Sequence, residues 1–333
     1  MFATQTQHTL KRIGDNTTNV DMAGDTKFRF PGVPDGCMVP AAINSRVQAP
    51  VMPGGISQGR RWDWQVETVT SSKFFALSCV PSGATPEFLI VVNGKWISTA
   101  KTVVPMVSGS LGFLMLEFPD NRPRRIKIIT QGACQILNFQ TEAAYPPARP
   151  VGNDKVLLSV GDSLTVGANG VGSLETWPQG AAAMLGFDHC CNAAIGGTRW
   201  VQSGTGDVAI SHFGGDRLPL ALTTANIAAA VFAGSRNDAG GNQAQLDAIT
   251  AAVGAAMDIT PIAKRFIAGT FTVLPQNPAV QAGALAKGVT FIDMQDGLQP
   301  EDISNDAVHP TLQGAINLRN RFVPRLLAAG CVP

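Results

Sequence analysis

The chain has 333 residues, of which 45% are hydrophobic and 15% are charged, and its formal net charge at pH 7 is +1. This composition excludes an intrinsically disordered chain, and the near-neutral charge gives no general attraction to nucleic acid or to an anionic membrane surface. The length exceeds what one hydrophobic core usually organises, so we expect two domains.

The amino-terminal segment, residues 1–20, lacks a long apolar core and therefore does not read as a secretory signal peptide. No apolar stretch reaches about 18 residues, so we expect no transmembrane helix. A protein whose signal had been removed would look the same. Localisation therefore stays open, and secretion and association with a virion are both compatible with the sequence.

The first 145 residues read as short strands separated by turns. Apolar or alternating segments of strand length occur at 74–80, 87–99, 112–118 and 124–130. Asn93-Gly94 divides the second segment, which is a strong signal for a tight hairpin turn. Because no long helical pattern interrupts them, we predict an antiparallel, jelly-roll-like β-sandwich domain over residues 1–145.

Two groups of side chains in this part have alternative interpretations. Trp62, Trp64 and Trp96 could stack on a sugar ring, although aromatic residues of a small sandwich more often belong to its core. The basic segment at 122–127 alternates with apolar residues, which favours a solvated strand face over a site for a polyanion.

The second half of the chain has a different rhythm. A proline-rich segment at 146–152 predicts a stiff linker to a second domain over residues 153–333. Apolar strand candidates lie at 156–160, 189–195, 228–234, 265–271 and 289–293, and helix candidates lie at 177–186, 242–257, 277–287 and 311–329. This alternation predicts a parallel sheet with helices on both faces, in which ligands bind beyond the carboxyl ends of the strands.

The six cysteines show no metal-ligand spacing, so we expect no metal centre and mainly buried free thiols, with one or two disulfides as the alternative. They are Cys37, Cys79, Cys134, Cys190, Cys191 and Cys331. Cys190 and Cys191 are adjacent in a predicted strand, which places their side chains on opposite faces.

Reactive residues follow the predicted strands at one edge of the sheet. Ser163 comes after the first strand, and Asp306 and His309 precede the last helix. A serine hydroxyl needs a base, which His309 can supply, and Asp306 is near enough in sequence to orient the imidazole. Asp293, at the end of the fifth strand, is a competing acid without that local spacing. Asp162 is expected to shape the turn before Ser163.

The same edge offers donors for the oxyanion of a tetrahedral intermediate. The backbone amides of Ser163 and Gly197 and the side-chain amide of Asn237 would supply three. Arg199, Arg236 and His212 are candidates for contacts to substrate, with structural roles as the alternative. The glycine-rich segment 166–172 is either an adaptable rim of the site or a plain connection.

These motifs resemble the SGNH hydrolases, also called the GDSL esterase and lipase family. The matching segments are GDSLT at 161–165, NAAIGGTR at 192–199, GSRND at 234–238 and DAVHP at 306–310. The resemblance covers about residues 153–329. It implies a flavodoxin-like α/β/α fold, Ser163 as nucleophile and first oxyanion donor, Gly197 and Asn237 as further donors, and Asp306 with His309 as the rest of a triad.

The chain departs from the family pattern at two positions. Ser235 stands where the family usually has a glycine, two residues before Asn237, and this puts the aim of Asn237 in doubt. Gly196 adjoins Gly197 and is an alternative oxyanion glycine. The sequence GDSLT lacks the G-x-S-x-G pattern, so the α/β-hydrolase nucleophile elbow is not the relevant comparison.

The resemblance implies a serine ester hydrolase that needs no cofactor. Small residues around the motifs favour a short acyl group such as acetyl, and a sandwich before such a domain resembles carbohydrate esterases, including polysaccharide deacetylases and phage tail enzymes. The expected substrate is therefore an O-acetylated glycan. A small ester, for a broad short-chain carboxylesterase or lipase-like enzyme, is the first alternative, and an inactive carbohydrate-binding or virion-structural protein is the second.

Overall fold

The computed structural model describes residues 64–81, 86–97, 101–104, 109–130, 134–152, 154–201 and 217–333. Cys37, Trp62 and His212 lie outside these residues, as do the side chains of Trp64 and Cys134. Within the described part of the chain, no helix is both long and apolar enough to cross a membrane.

The amino-terminal part is rich in antiparallel strands. They are β1 (Trp64–Thr70), β2 (Phe74–Pro81), β3 (Glu87–Val92), β4 (Lys95–Trp96), β5 (Thr102–Val103), β6 (Gly112–Glu117), β7 (Arg124–Thr130) and β8 (Cys134–Thr141). One sheet has the order β1-β7-β3-β4 with β5 beside β3, and the other has the order β6-β2-β8. Asn93 and Gly94 both have positive φ, at 51° and 77°, as the predicted tight turn between β3 and β4 requires.

The two antiparallel sheets pack face to face, as the sequence predicts. Leu77 of β2 and Phe88 and Ile128 of the larger sheet are fully buried in the core between them. The larger sheet also buries its other face, where Leu89 and Ile129 pack against Leu174 of the carboxyl-terminal part. This sheet is therefore covered on both sides.

The carboxyl-terminal part alternates strands and helices. The strands are β9 (Val156–Gly161), β10 (His189–Asn192), β11 (Ile227–Ala233), β12 (Arg265–Ala268) and β13 (Thr290–Ile292). The helices are α1 (Ser163–Val166), α2 (Trp177–Leu185), α3 (Arg217–Leu222), α4 (Gln243–Asp258), α5 (Asn277–Ala286) and α6 (Leu312–Ala328), with a 3-10 turn at Pro300–Asp302 before α6.

These strands form a parallel sheet in the order β10-β9-β11-β12-β13. This is the flavodoxin order, in which the direction of winding reverses between the first and third strands. Helices α2 and α6 bury apolar residues on one face of the sheet, and α4 and α5 do so on the other. The predicted three-layer architecture is confirmed.

The thiols agree with the prediction for the described cysteine side chains. Cys79, Cys190, Cys191 and Cys331 are buried thiols. Cys190 packs in the core under α2 and α6, whereas Cys191 packs in the core on the opposite face of the sheet.

The proline-rich segment runs along the edge of β1. Ala148 exchanges two backbone hydrogen bonds of 2.8 Å with Val69, and the hydroxyl of Thr70 donates to the carbonyl of Tyr145 at 2.9 Å. The segment is therefore tied to the amino-terminal sheet before it leads into β9. The domain boundaries at residues 145 and 153 stay a prediction.

The prediction of a solvated basic face at 122–127 is wrong for Arg124 and Arg125. Arg124 is 8% exposed, and its guanidinium lies 4.5 Å from the centroid of the Phe118 ring. Arg125 donates to Glu67 Oε1 at 2.5 Å and to Asp154 Oδ1 at 2.8 Å. Although burial disfavours its charge, these two carboxylates raise the pKa of Arg125. The reason for the error is that both faces of this sheet are covered: Arg124 lies against Phe118 on one face, and Arg125 faces Asp154 on the other.

Candidate active site

Ser163 lies at the carboxyl end of β9, where it begins the short helix α1. Asp162 caps this helix, because its carboxylate accepts the backbone N–H of Leu164 at 2.9 Å. The predicted role of Asp162 as the shaper of the turn is confirmed. A Cβ on Gly161 would lie 2.6 Å from the carbonyl oxygen of Ala233, so only glycine fits where β9 passes into α1. Ser163 itself keeps partial exposure.

The loop between the 3-10 turn and α6 brings a histidine and a carboxylate to Ser163. The distance from His309 Nε2 to Ser163 Oγ is 2.8 Å, and the distance from His309 Nδ1 to Asp306 Oδ2 is 2.5 Å. A carboxylate accepts only, so Nδ1 carries the proton of the neutral ring and Nε2 is free to accept from the serine hydroxyl.

The Asp306 carboxylate is held ionised by its hydrogen bonds. Its contact with the His309 ring, the backbone N–H groups of His309 (2.9 Å) and Val308 (3.0 Å), and the Ser304 hydroxyl (2.8 Å) keep the pKa of Asp306 well below its ordinary value. Asp293, the competing acid, instead accepts the backbone N–H of Gln295 at 3.1 Å. Asp306 is thus the acid at the imidazole.

A second carboxylate, Asp302, anchors the loop that carries His309. Asn317 Nδ2 donates to Asp302 Oδ1 at 2.6 Å, and the Arg321 guanidinium donates to Oδ2. Burial favours the neutral acid, but the Arg321 contact and the other hydrogen bonds lower the pKa of Asp302. The backbone of Ser304 donates to the carbonyl of His309 at 2.7 Å, which closes the loop on itself. Sequence reasoning missed Asp302, for which the only signal is the spacing of Asn317 and Arg321 on one face of α6.

The turn after β10, which contains the candidate oxyanion glycines, lies beside Ser163. A Cβ on Gly196 would lie 3.7 Å from that of Ser163, so the turn after β10 lies against the serine. Gly197 has a φ of 75°, a conformation that favours glycine. Asn237 Nδ2 donates to the carbonyl of Thr198 at 2.9 Å, which brings the Asn237 amide to the same turn and leaves it a second N–H.

Asp238 ties the loops after β10 and β11 together. Its carboxylate accepts the backbone N–H groups of Trp200 at 3.1 Å and Val201 at 2.9 Å. Burial raises the pKa of Asp238. The departure at Ser235 is accommodated by strain, because this buried serine has a φ of 109°, a region that non-glycine residues avoid. With this backbone, the Asn237 side chain reaches the carbonyl of Thr198.

Two of the candidate substrate contacts can be located. Arg199 is half-buried near the charge of Asp238. Arg236 lines a small cavity beside Asp162 and Leu164, next to the serine. Neither side chain is among the groups bound to Ser163 or His309 in the described residues.

The glycine-rich segment 166–172 contacts Asp306. Asn169 Nδ2 donates to Asp306 Oδ2 at 2.5 Å, so a residue that sequence reasoning did not single out contacts the acid. This contact places Asn169 at the edge of the candidate site, and an adaptable rim stays a prediction.

One group of described residues has the composition of a metal site. The ligand atoms of Glu67, Asp154 and His189 lie within 4.8 Å of one another. The Arg125 guanidinium already bonds to both carboxylates, and its positive charge opposes a cation there, so we interpret the group as an ion-pair network. It borders a cavity of about 390 Å³, lined also by Trp96, at the opposite end of the sheet from Ser163.

No protein-family model matches the sequence, and no curated protein matches it. Solved structures do resemble the chain in fold. A family two carbohydrate esterase from Clostridium thermocellum, in complex with cellohexaose, has a TM-score of 0.59 at 15% identity, over 79% of this chain and 91% of that one.

Two further structures carry different activities in their names. The salicylyl-acyltransferase SsfX3 from a tetracycline biosynthetic pathway has a TM-score of 0.62 at 11% identity, over 93% of this chain and 98% of that one. A protein described as a GDSL-like lipase, from Bacteroides ovatus, has a TM-score of 0.54 at 12% identity, over 85% and 90%. Because these identities are low, the comparison establishes the fold: the chain has the architecture of the GDSL-like lipases and carbohydrate esterases, as its resemblance to the SGNH hydrolases implied.

Proposed function

We propose that the protein is a serine ester hydrolase that removes O-acetyl groups from a glycan. The observation that carries the proposal is the chain of contacts from Ser163 Oγ to His309 Nε2, at 2.8 Å, and from His309 Nδ1 to Asp306 Oδ2, at 2.5 Å. It lies at the carboxyl end of β9, next to the position where the winding of the sheet reverses, which is the usual ligand site of such folds.

Acylation begins with Ser163. Its Oγ attacks the ester carbonyl as His309 Nε2 takes the hydroxyl proton, and Asp306 stabilises the resulting imidazolium. The tetrahedral intermediate collapses when the carbon–oxygen bond to the sugar breaks and His309 returns the proton to the leaving alcohol. Water then attacks the acyl-enzyme by the same route in reverse, and acetate leaves.

The negative oxygen of both tetrahedral intermediates needs donors fixed in advance. The backbone amide of Ser163, that of Gly197 and the second N–H of Asn237 Nδ2 would supply them. Loss of one such donor costs about 10²–10³ in turnover. Asp238 supports this set by fixing the loop that follows Gly197.

Two observations support the substrate class. A protein of this fold is a carbohydrate esterase crystallised with cellohexaose, and small residues surround Ser163 in the sequence, including Gly196 against its side chain. The fold is also that of an acyltransferase, so acyl transfer to a hydroxyl other than water is a second candidate activity.

Acetate release tests the proposal. The purified protein, incubated with acetylated xylans, pectins and bacterial capsules, is expected to release acetate from at least one and to hydrolyse p-nitrophenyl acetate faster than the octanoate. Ser163→Ala should lose nearly all of this turnover with its fold intact. Equal use of the octanoate would contradict the acetyl assignment, and acetyl transfer to an added alcohol in preference to water would favour the acyltransferase.

A further inference from the structure

The rim of the site contains a tight turn whose asparagine faces the triad acid. Residues Ala168 to Val171 form this turn, closed by the hydrogen bond from Val171 N to the Ala168 carbonyl at 3.1 Å. The central pair, Asn169 and Gly170, has φ values of 52° and 86°. Positive φ at both central positions is the signature of a type I′ turn, for which Asn-Gly is the preferred sequence.

The turn is braced on both sides. At its start, a Cβ on Gly167 would lie 2.4 Å from the Val171 carbonyl oxygen, so the chain closes tightly there. At its end, the Glu175 carboxylate accepts the backbone N–H of Gly172 at 2.9 Å and pairs with Lys101 of the amino-terminal part at 2.9 Å. These contacts fix the backbone conformation of the turn and therefore the direction in which the Asn169 side chain points.

The oxygen that Asn169 contacts is the one that orients the base. Asp306 Oδ2 accepts from His309 Nδ1 and from Asn169 Nδ2, each at 2.5 Å, while the backbone and Ser304 contacts all go to Oδ1. Ser163 lies six positions before Asn169, at the start of helix α1, which leads directly into this turn. The hydrogen bonds thus connect Ser163 through His309 and Asp306 to Asn169, which is close to Ser163 in sequence.

We propose that Asn169 is a positioning residue of the triad, which fixes the position of Asp306 Oδ2 and makes the alignment of His309 depend on the 167–172 turn. The inference rests on the proposed function, since it deepens the account of the same site. Without the amide donor, Oδ2 keeps only its contact with His309, while Oδ1 keeps its three hydrogen bonds. The position of Oδ2 is then less tightly fixed, and His309 loses part of its alignment toward Ser163.

The test is the substitution Asn169→Gly, because glycine keeps the positive φ of the turn and removes the donor. We expect kcat to fall about tenfold, the kinetic equivalent of one hydrogen bond, with little change in KM. The acid limb of the kcat/KM profile, which reports protonation of the base, should move to higher pH. Without the amide donor, Asp306 Oδ2 stabilises the imidazolium form of His309 more strongly. Asn169→Asp, which also suits the turn, should lower kcat further by placing a second carboxylate beside Asp306.

The matched control is Asn93→Gly. Asn93 and Gly94 form the equivalent Asn-Gly turn in the amino-terminal part, away from Ser163, so this variant should keep the wild-type kcat and pH profile. Wild-type kinetics in Asn169→Gly would overturn the proposal. So would a loss of kcat with an unshifted acid limb and a lowered Tm, which would mark a purely structural role.

A readout independent of activity separates this inference from the proposed function. The NMR resonance of the His309 Nδ1 proton should move in Asn169→Gly and stay in place in Asn93→Gly. An unmoved resonance in Asn169→Gly would refute the role of Asn169. A wild-type protein that hydrolyses no ester would refute the esterase assignment, and the resonance would still decide on Asn169.

Discussion

At the scale of single residues, one loop of the candidate site has a backbone conformation that its side chain does not favour. Ser235 holds a φ of 109° two residues before Asn237, whereas the positive φ of Asn169 suits asparagine in its turn. Strain of the kind at Ser235 costs on the order of 1–3 kcal/mol and persists only where the surroundings fix the backbone. Because Asn237 is a proposed oxyanion donor, this strain lies where side-chain direction matters.

The strain at Ser235 gives a prediction about stability. At most positions Ala is more favourable than Gly, but at this φ the Cβ is strained, so the order should reverse. We expect Ser235→Gly to exceed Ser235→Ala in free energy of unfolding by about 1 kcal/mol. Urea denaturation of the two variants measures the difference directly. An Ala variant as stable as the Gly variant would show that the backbone is relaxed.

At the scale of elements, Asp302 fastens the loop before α6 to that helix through Asn317 and Arg321. The close approach of the helix is enforced by Gly314, where a Cβ would lie 2.0 Å from the Asp302 carbonyl oxygen. Because Asp302, Asn317 and Arg321 fix the base of the loop, Asp306 and His309 have little freedom relative to the sheet that carries Ser163.

The contacts of the Asp302 carboxylate should make a pH-dependent contribution to the free energy of unfolding. Asp302→Asn should destabilise the protein at pH 7 by about 1.5–3 kcal/mol, the range for a hydrogen bond to a charged group, because the Arg321 side chain left behind is 33% exposed. Since the folded-state pKa of Asp302 lies below its ordinary 3.8, the wild-type advantage is fully present above that pH and is lost as the pH falls through the folded value.

Urea unfolding of wild type and Asp302→Asn, at pH 7 and in steps below pH 4, measures this dependence. The gap between the two proteins should be largest at pH 7 and should narrow in acid. A gap that stays constant or widens toward low pH would show that the carboxylate charge is not what anchors the loop.

At the scale of the whole molecule, polar contacts join the amino-terminal sheet to the parallel-sheet part. Arg125 is central to them, because it bonds to Glu67 of β1 and to Asp154 just before β9. Glu67 is 2% exposed and Asp154 is 6% exposed. Removing the guanidinium would leave two buried carboxylates without their main cation.

This junction predicts an effect on stability without an effect on chemistry. Arg125→Met should lower the free energy of unfolding by about 3–5 kcal/mol, whereas kcat should stay near wild type because Ser163 lies at the other end of the sheet. Arg122→Met is the control, since the Arg122 side chain is 82% exposed and water screens its pair with Asp120, so this variant should leave the free energy of unfolding nearly unchanged. Equal losses in both variants would contradict a special role for Arg125.

Much of the architecture followed from periodicity. Strand β9 and helix α2 were predicted within one residue of their ends because a buried parallel strand is apolar throughout and its covering helix is rich in alanine. Strand β1 was missed, because the segment WQVETVT contains Gln65 and Glu67, polar residues that are buried only through partners elsewhere in the chain. Burial of this kind depends on tertiary contacts, which a local sequence pattern does not reveal.

For the candidate site too, sequence reasoning identified some residues and missed others. Ser163, Asp306 and His309 lie in short motifs that indicate a nucleophile, a base and an acid from the sequence alone, and the structure brings them into contact. Asn169 and Asp302 are Asn and Asp residues in loop sequences, where such residues are common for reasons of turn geometry alone. Their roles depend on contacts across 137 residues for Asn169 and 19 for the Arg321 pair of Asp302.

The central claim is that Ser163 forms an acyl-enzyme with His309 as its base, and mass spectrometry of the trapped intermediate tests it most directly. Protein mixed with p-nitrophenyl acetate, quenched in acid and digested should carry an acetyl group on the peptide that contains Ser163. His309→Gln should suppress the adduct and Ser163→Ala should abolish it. An acetyl group on another residue, or turnover that persists in Ser163→Ala, would contradict the account.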